Sequence, residues 1–111
     1  GSLRAWFECN TDSRVASLDD STQYDDGDWH LMTATYDSPD SILYVDGVQT
    51  GNTVTLADSE LTVNRIMASY SSGTSRYGFM GSMLCARIYS KALSAAEILQ
   101  NFNATRGRVG I

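Results

Sequence analysis

The chain is poor in the residues that most site chemistry requires. One histidine, two cysteines and one proline occur in 111 residues. Cys9 and Cys85 lie far apart, with no CxxC spacing, and two such cysteines do not make a metal site. No G-x-S-x-G turn is present to hold a nucleophilic serine. Glu8, Glu60 and Glu97 are isolated, whereas glycoside hydrolysis needs two carboxyl groups facing one bond. No apolar run approaches the roughly 18 residues of a membrane span, so no membrane insertion is expected. No charged-then-apolar leader opens the chain. Basic residues are also few. With 8 Lys and Arg against 13 Asp and Glu the net charge is −5, which disfavours nucleic acid, whose phosphates demand a basic face.

What remains is an ordinary globular composition, 42% apolar and 10% aromatic, with no internal repeat and no visible domain boundary. Residues 1–111 are therefore read as one domain with one core. The charge is unevenly spread: residues 1–60 sum to −10 and residues 61–111 to +5. Interleaved in one fold, these charges neutralise one another; held apart, they favour head-to-tail contact.

Short apolar runs separated by turn signals predict an all-β body. Strands are expected over residues 3–9, 13–18, 29–36, 41–45, 48–50, 53–56, 61–69 and 79–89. The run 29–36 is apolar on both faces and is expected to be a central strand. Residues 19–28 and 70–78 are expected to be loops on composition. Asp46-Gly47 between apolar flanks predicts a two-residue type I′ turn, in which both central residues need positive φ. One helix closes the chain. Ser94 and Glu97 have the spacing of a capping box, Leu93 and Ile98 occupy the staple positions, and Ile98, Leu99 and Phe102 form an apolar stripe. Gly107 is placed to serve near the C-terminal stop.

Two passages resemble the concanavalin A-like, laminin-G-like jelly-roll superfamily. Gly27-Asp28-Trp29-His30-Leu31-Met32-Thr33-Ala34-Thr35-Tyr36-Asp37, leading to Leu43-Tyr44-Val45-Asp46-Gly47, is similar to that family's W-H-x-x-A-x-T-Y-D … L-Y-V-D-G. Phe79-Met80-Gly81, followed by Ala86-Arg87-Ile88-Tyr89-Ser90-Lys91-Ala92-Leu93-Ser94-Ala95-Ala96-Glu97-Ile98, resembles its strand-to-helix passage. The resemblance implies an antiparallel jelly-roll sandwich with one short C-terminal helix. There are departures: Leu84 and Cys85 stand where the family carries an acidic pair, and the family's opening strands are not matched. The expectation is thus an N-terminally shortened domain whose open sheet edge is paired by a second copy, giving a homo-oligomer.

Candidate sites follow. Tyr24, Tyr70 and Tyr77 lie in polar stretches with Arg76 beside Tyr77, where rings can stack on a sugar and Arg or Asp can take its hydroxyls; the same rings also suit a covering role at the ends of a sandwich. Asp19, Asp20, Asp25 and Asp26, with Asp28, offer hard oxygens for Ca²⁺, but lack the spaced pattern of an EF-hand loop, and a solvated acidic loop is the preferred reading. No other cofactor is expected. Cys9 and Cys85 can pair as a disulfide closing a long loop, worth about 4 kcal/mol, or remain two buried thiols. His30 is read as structural. Asn103-Ala104-Thr105 fits a glycosylation sequon. Glycosidases of the resembled fold carry an E-x-D-x-x-E strand, which does not occur here, so no catalysis is expected. The leading expectation is a lectin-like module for a glycan or surface glycoconjugate, outside the cell or on a virion surface. The alternative is a structural or assembly domain of a phage, virion or bacterial surface protein, since the ending 99–108 looks like those of phage-associated and bacterial family members.

Overall fold

The computed structural model describes residues 2–8, 15–24, 26–37, 39–55, 69–71, 74–76 and 81–111. Among the described residues, seven strands and one helix follow in the order β1 (Ser2–Glu8), β2 (Val15–Gln23), β3 (Met32–Asp37), β4 (Asp40–Val45), β5 (Val48–Thr55), β6 (Ser69–Ser71), β7 (Thr74–Arg76) and α1 (Ala95–Arg106). All pairings are antiparallel: β1 with β2, β3 with β4, β4 with β5, and β6 with β7. The architecture is mostly β with one short helix, as expected.

The centre of the described structure is β4. In the sheet β3-β4-β5 it has a hydrogen-bonded neighbour on each side. Its faces are both covered: Leu43 is fully buried, and Tyr44 and Val45 nearly so. Because alternate residues of a strand face opposite ways, Ile42 and Tyr44 share one face, and there they pack with Leu93 and Ile98. Strand β2 runs within 8 Å of β5 and β4, and α1 within the same distance of β5.

The hairpin between β4 and β5 forms as Asp46-Gly47 demands. Val45 pairs with Val48, and the two turn residues have φ of 52° and 82°, as a type I′ turn requires. Helix α1 then packs on this turn. A Cβ on Gly47 would lie 2.9 Å from Leu99 Cδ1 and 3.2 Å from Phe102 Cβ. Glycine is thus required twice here, for its backbone and for the space it leaves.

The helix begins where the capping box places it. Ser94 Oγ accepts from the Glu97 amide, and a Glu97 carboxylate oxygen accepts from the Ser94 amide. Lys91 Nζ donates to the other Glu97 oxygen at 2.8 Å. Of the expected apolar stripe, Ile98 and Phe102 are buried, while Leu99 is partly exposed where it lies over the turn. Gly107 stays in the right-handed region and the positive φ falls at Gly110. The chain therefore leaves the helix through further turns, with the Arg108 amide donating to Thr105 O and that of Val109 to Arg106 O.

Several expectations are corrected. Residues 19–23 belong to β2, not to a loop: pairing with β1 (Arg4 opposite Asp19) overrides the low strand propensity of Asp. The stretch 70–78 was expected to be loop, but Ser71 pairs with Thr74 and Tyr70 with Ser75, a short hairpin. The strand expected over 29–36 starts only at Met32 and, within its described sheet, lies at the edge. Strands expected separately at 48–50 and 53–56 are one strand, β5, whose ladder shifts register opposite Ser41 and Leu43. Residues 81–89, expected to be the body of a long strand, are not in a ladder and are exposed. A strand is stable only with a hydrogen-bonded neighbour, and alternation of apolar residues does not supply one. The strand expected over 61–69 falls largely outside the described residues, and so do residues 79 and 80 of the long strand.

Candidate functional site

The best-defined polar cluster lies where the connection between β2 and β3 meets the β4–β5 turn. Antiparallel pairing of β3 with β4 places Met32 opposite Val45, so the next residues outward, Leu31 and Asp46, also face one another. The Asp46 amide donates to Leu31 O at 2.9 Å, and Asp46 Oδ1 accepts from the Leu31 amide at 2.9 Å. The turn aspartate thus replaces, through its side chain, the ladder bond that the turning backbone no longer offers.

His30 extends this contact. Its Nδ1 lies 2.7 Å from Asp46 Oδ2, and its Nε2 lies 3.1 and 3.2 Å from the two oxygens of Asp26. Asp26 Oδ1 also accepts from the Asp28 amide at 2.9 Å, a local turn bond that shapes the connection at its tip. The Tyr24 ring stands edge-on to the imidazole, with centroids 4.9 Å apart. The His30 side chain is 18% exposed, against 49% for Asp26.

Both ring nitrogens therefore face carboxylate oxygens. A neutral imidazole carries one N–H and one lone pair, and the lone pair would meet an anion; only the imidazolium donates to both sides. The electrostatics agree. The hydrogen bond to Asp46, then that to Asp26, raise the pKa of His30 above its usual value, against the opposing effect of partial burial. Asp26 is held below the usual carboxylate range by the Asp28 amide first and by His30 second.

The expected site residues are scattered. Tyr24 and Asp26 belong to this cluster, where the Asp26 oxygens lie against His30 and the Asp28 amide. Asp19 and Asp20 are successive residues of β2, and Asp25 lies outside the described residues. Among the described residues no group of three or more His, Cys, Asp or Glu side chains is arranged to hold a metal ion. Tyr70 is in β6 and Arg76 in β7, at adjacent ladder positions opposite Ser75 and Ser69; Tyr77 lies outside the described residues. Cys85 is exposed with a free thiol, and Cys9 lies outside the described residues. Sequence reading missed the partnership of His30 with Asp46 and Asp26. The available signal was a lone histidine next to an acidic run and just ahead of a hairpin whose turn opens with Asp.

The same connection presents Trp29, 38% exposed, and the exposed Asp28. An exposed indole with the exposed Asp28 carboxylate beside it can offer a stacking surface next to hydrogen-bond acceptors.

Comparison with known proteins bears on the fold. The Laminin_G_3 family model of the Concanavalin A-like lectin/glucanases superfamily matches residues 1–99. The chain belongs to this superfamily. Among curated proteins none matches significantly. Among solved structures, an S-layer domain-containing protein from Clostridium thermocellum ATCC 27405 is similar with a TM-score of 0.58 at 23% identity. That match covers 79% of this laminin-G-like chain and 45% of the other, so the chain spans less than half of that structure. A likeness at this identity speaks for the fold alone. No helix among the described residues is long and apolar enough to cross a membrane.

Proposed function

We propose that this chain is a non-catalytic recognition module of a surface-exposed protein, a β-sandwich of the jelly-roll type whose segment 26–31, with Tyr24 beside it, binds a glycan or glycoconjugate. The observation that carries the reading is the anchored loop itself: Trp29 is exposed on it, Asp28 is exposed beside it, and Tyr24 flanks it. Sugars are recognised by an aromatic face against their C–H groups and by acidic side chains on their hydroxyls. The superfamily includes lectins and glucanases, and the absence of an E-x-D-x-x-E strand from the sequence favours the lectin side. Both His30 nitrogens are occupied by carboxylates, which leaves this histidine poorly placed for general acid or base work. The S-layer title of the similar structure supports a cell-surface setting.

The test is a glycan array followed by calorimetric titration of any hit against the chain and against Trp29→Ala and Tyr24→Ala. Loss of affinity by tenfold or more in Trp29→Ala, with melting unchanged, supports the reading. Hits indifferent to both substitutions place recognition elsewhere, and an array without hits sinks it.

A second reading, assembly through an open edge with another copy, has its own observation: Met83, Leu84, Ile88 and Tyr89 are exposed large apolar side chains in one unladdered segment. Light scattering across a concentration series separates them. A stable dimer or larger species without ligand favours assembly, and a monomer at high micromolar concentration removes it.

A further inference from the structure

Among the described residues, His30 joins the proposed recognition loop to the β4–β5 turn. Nδ1 engages Asp46 at 2.7 Å on the β4–β5 turn, which α1 holds from the other side through Leu99 and Phe102. Nε2 engages Asp26 at 3.1 Å on the loop, two residues before Asp28 and three before Trp29. Asp26 in turn fixes the Asp28 amide. The path from rigid hairpin to exposed indole therefore runs through two charge-assisted hydrogen bonds on one ring. We propose that His30 is the positioning residue of the loop and works as a proton-operated clip: the imidazolium ties Asp26 to Asp46, and loss of one proton releases the Asp26 side and frees the loop that carries Trp29.

The chemistry is asymmetric between the two contacts. When the ring is neutral its single N–H stays with Asp46, the closer partner and the one also held by the Leu31 amide. The Nε2 lone pair then faces the Asp26 carboxylate, and attraction turns to repulsion. Among the described residues the groups that bear on the ring are these two carboxylates and the Tyr24 ring edge, and from α1 the neighbours of the turn are the apolar Leu99 and Phe102. A histidine whose folded pKa is raised contributes its stabilisation fully below the unfolded value of about 6.5, and loses it as pH climbs through the raised folded value. A carboxylate whose folded pKa is lowered contributes above about 3.9 and loses its contribution as pH falls through the lowered value. The clip is closed between those limits and opens on the alkaline side.

This inference names a regulation of the proposed recognition loop and rests on that reading for its functional consequence, but its physical core is testable without a ligand. The chain has one histidine, so its imidazole gives a single unambiguous NMR titration. The expected result is a midpoint clearly above 6.5, with the Trp29 indole and the Asp28 amide shifting at that same midpoint. In Asp26→Asn the midpoint should fall and the Trp29 response should shrink. In His30→Gln the Trp29 indole should no longer respond across this range, with circular dichroism confirming the fold. A midpoint at or below 6.5, or Trp29 signals that ignore the His30 titration, overturns the clip. Where the array yields a ligand, its affinity should weaken by up to about tenfold per pH unit above the midpoint, as for one proton taken up on binding, and His30→Gln should flatten that profile. A raised midpoint with coupled Trp29 shifts but no ligand found removes the recognition reading and leaves the clip; a ligand bound equally at all pH values removes the clip and leaves recognition.

Discussion

In residues 42–45, Ile42, Leu43, Tyr44 and Val45 run as consecutive apolar side chains and are buried or half-buried, Leu43 completely. In residues 83–89, Met83, Leu84, Ile88 and Tyr89 form a comparably apolar stretch, yet Ile88 is 69% exposed and no ladder forms. Hydrophobic content does not distinguish the two. What differs is what lies next in the chain. Strand β4 is followed at once by Asp46-Gly47, which turns the backbone back on itself and supplies a partner at two residues' distance, and β3 precedes it closely enough to pair on the other side. The later segment leads through Lys91 into a helix, and a helix offers no ladder. A local partner costs little loop entropy to recruit, whereas a distant one must first be brought near.

The comparison is broken most severely at the turn. Gly47→Val forces a β-branched residue into positive φ and drives its Cβ to within 2.9 Å of Leu99 Cδ1. The combined backbone and overpacking cost is about 4 kcal/mol. Urea denaturation should show a large fall in midpoint, and His30 should lose its raised pKa because Asp46 moves with the turn. A variant as stable as the parent would mean that helix and hairpin do not meet.

Next in size is Ile98→Ala. Ile98 is 1% exposed and packs with Tyr44 and Leu93. Removing three carbons from such a site costs about 3 kcal/mol in transfer and cavity terms. Ser94→Ala should cost less, about 1 kcal/mol, by leaving the Glu97 amide without its acceptor. The helix lost to fraying should be visible at the N-terminal amides by hydrogen exchange. If Ser94→Ala were silent while Ile98→Ala were costly, packing alone would be holding α1 in place.

Legibility in the sequence followed the same division. The cap and the hairpin turn were readable because each is decided within four residues: Ser94 and Glu97 satisfy one another's amides, and Asp46-Gly47 tolerates positive φ. The resemblance carried by residues 27–47 and 79–98 likewise pointed to the superfamily that the family match shows. The β6–β7 hairpin was missed because Ser and Thr dominate it, although the dipeptide Ser72-Gly73 between the paired Ser71 and Thr74 is itself a turn signal. Propensity alone puts Asp19 and Asp20 in a loop, whereas pairing with β1 places them in β2. The His30 cluster was illegible for a geometric reason. Its members lie 4 and 16 residues away along the chain, and only the closing of β3 on β4 brings Asp46 to the ring.

The smallest expected effect discriminates most between the two regions. Ile88→Ala removes the same three carbons as Ile98→Ala, but from a side chain already facing water, so its cost should stay within about 0.5 kcal/mol. A matched pair of denaturation curves reads the difference directly, because the deleted atoms are identical and only their surroundings differ. If the two costs converge near 3 kcal/mol, Ile88 is covered in solution, and the expected strand over 79–89 has a partner. That partner then declares itself by concentration: a cost that shrinks as the protein is diluted identifies a second copy, since dilution dissociates the pair and exposes Ile88 in the parent as well. A cost that ignores concentration identifies cover from within the same chain. If Ile88→Ala is silent as expected, the exposed segment contributes nothing to the fold, and its apolar side chains are available to whatever the module meets.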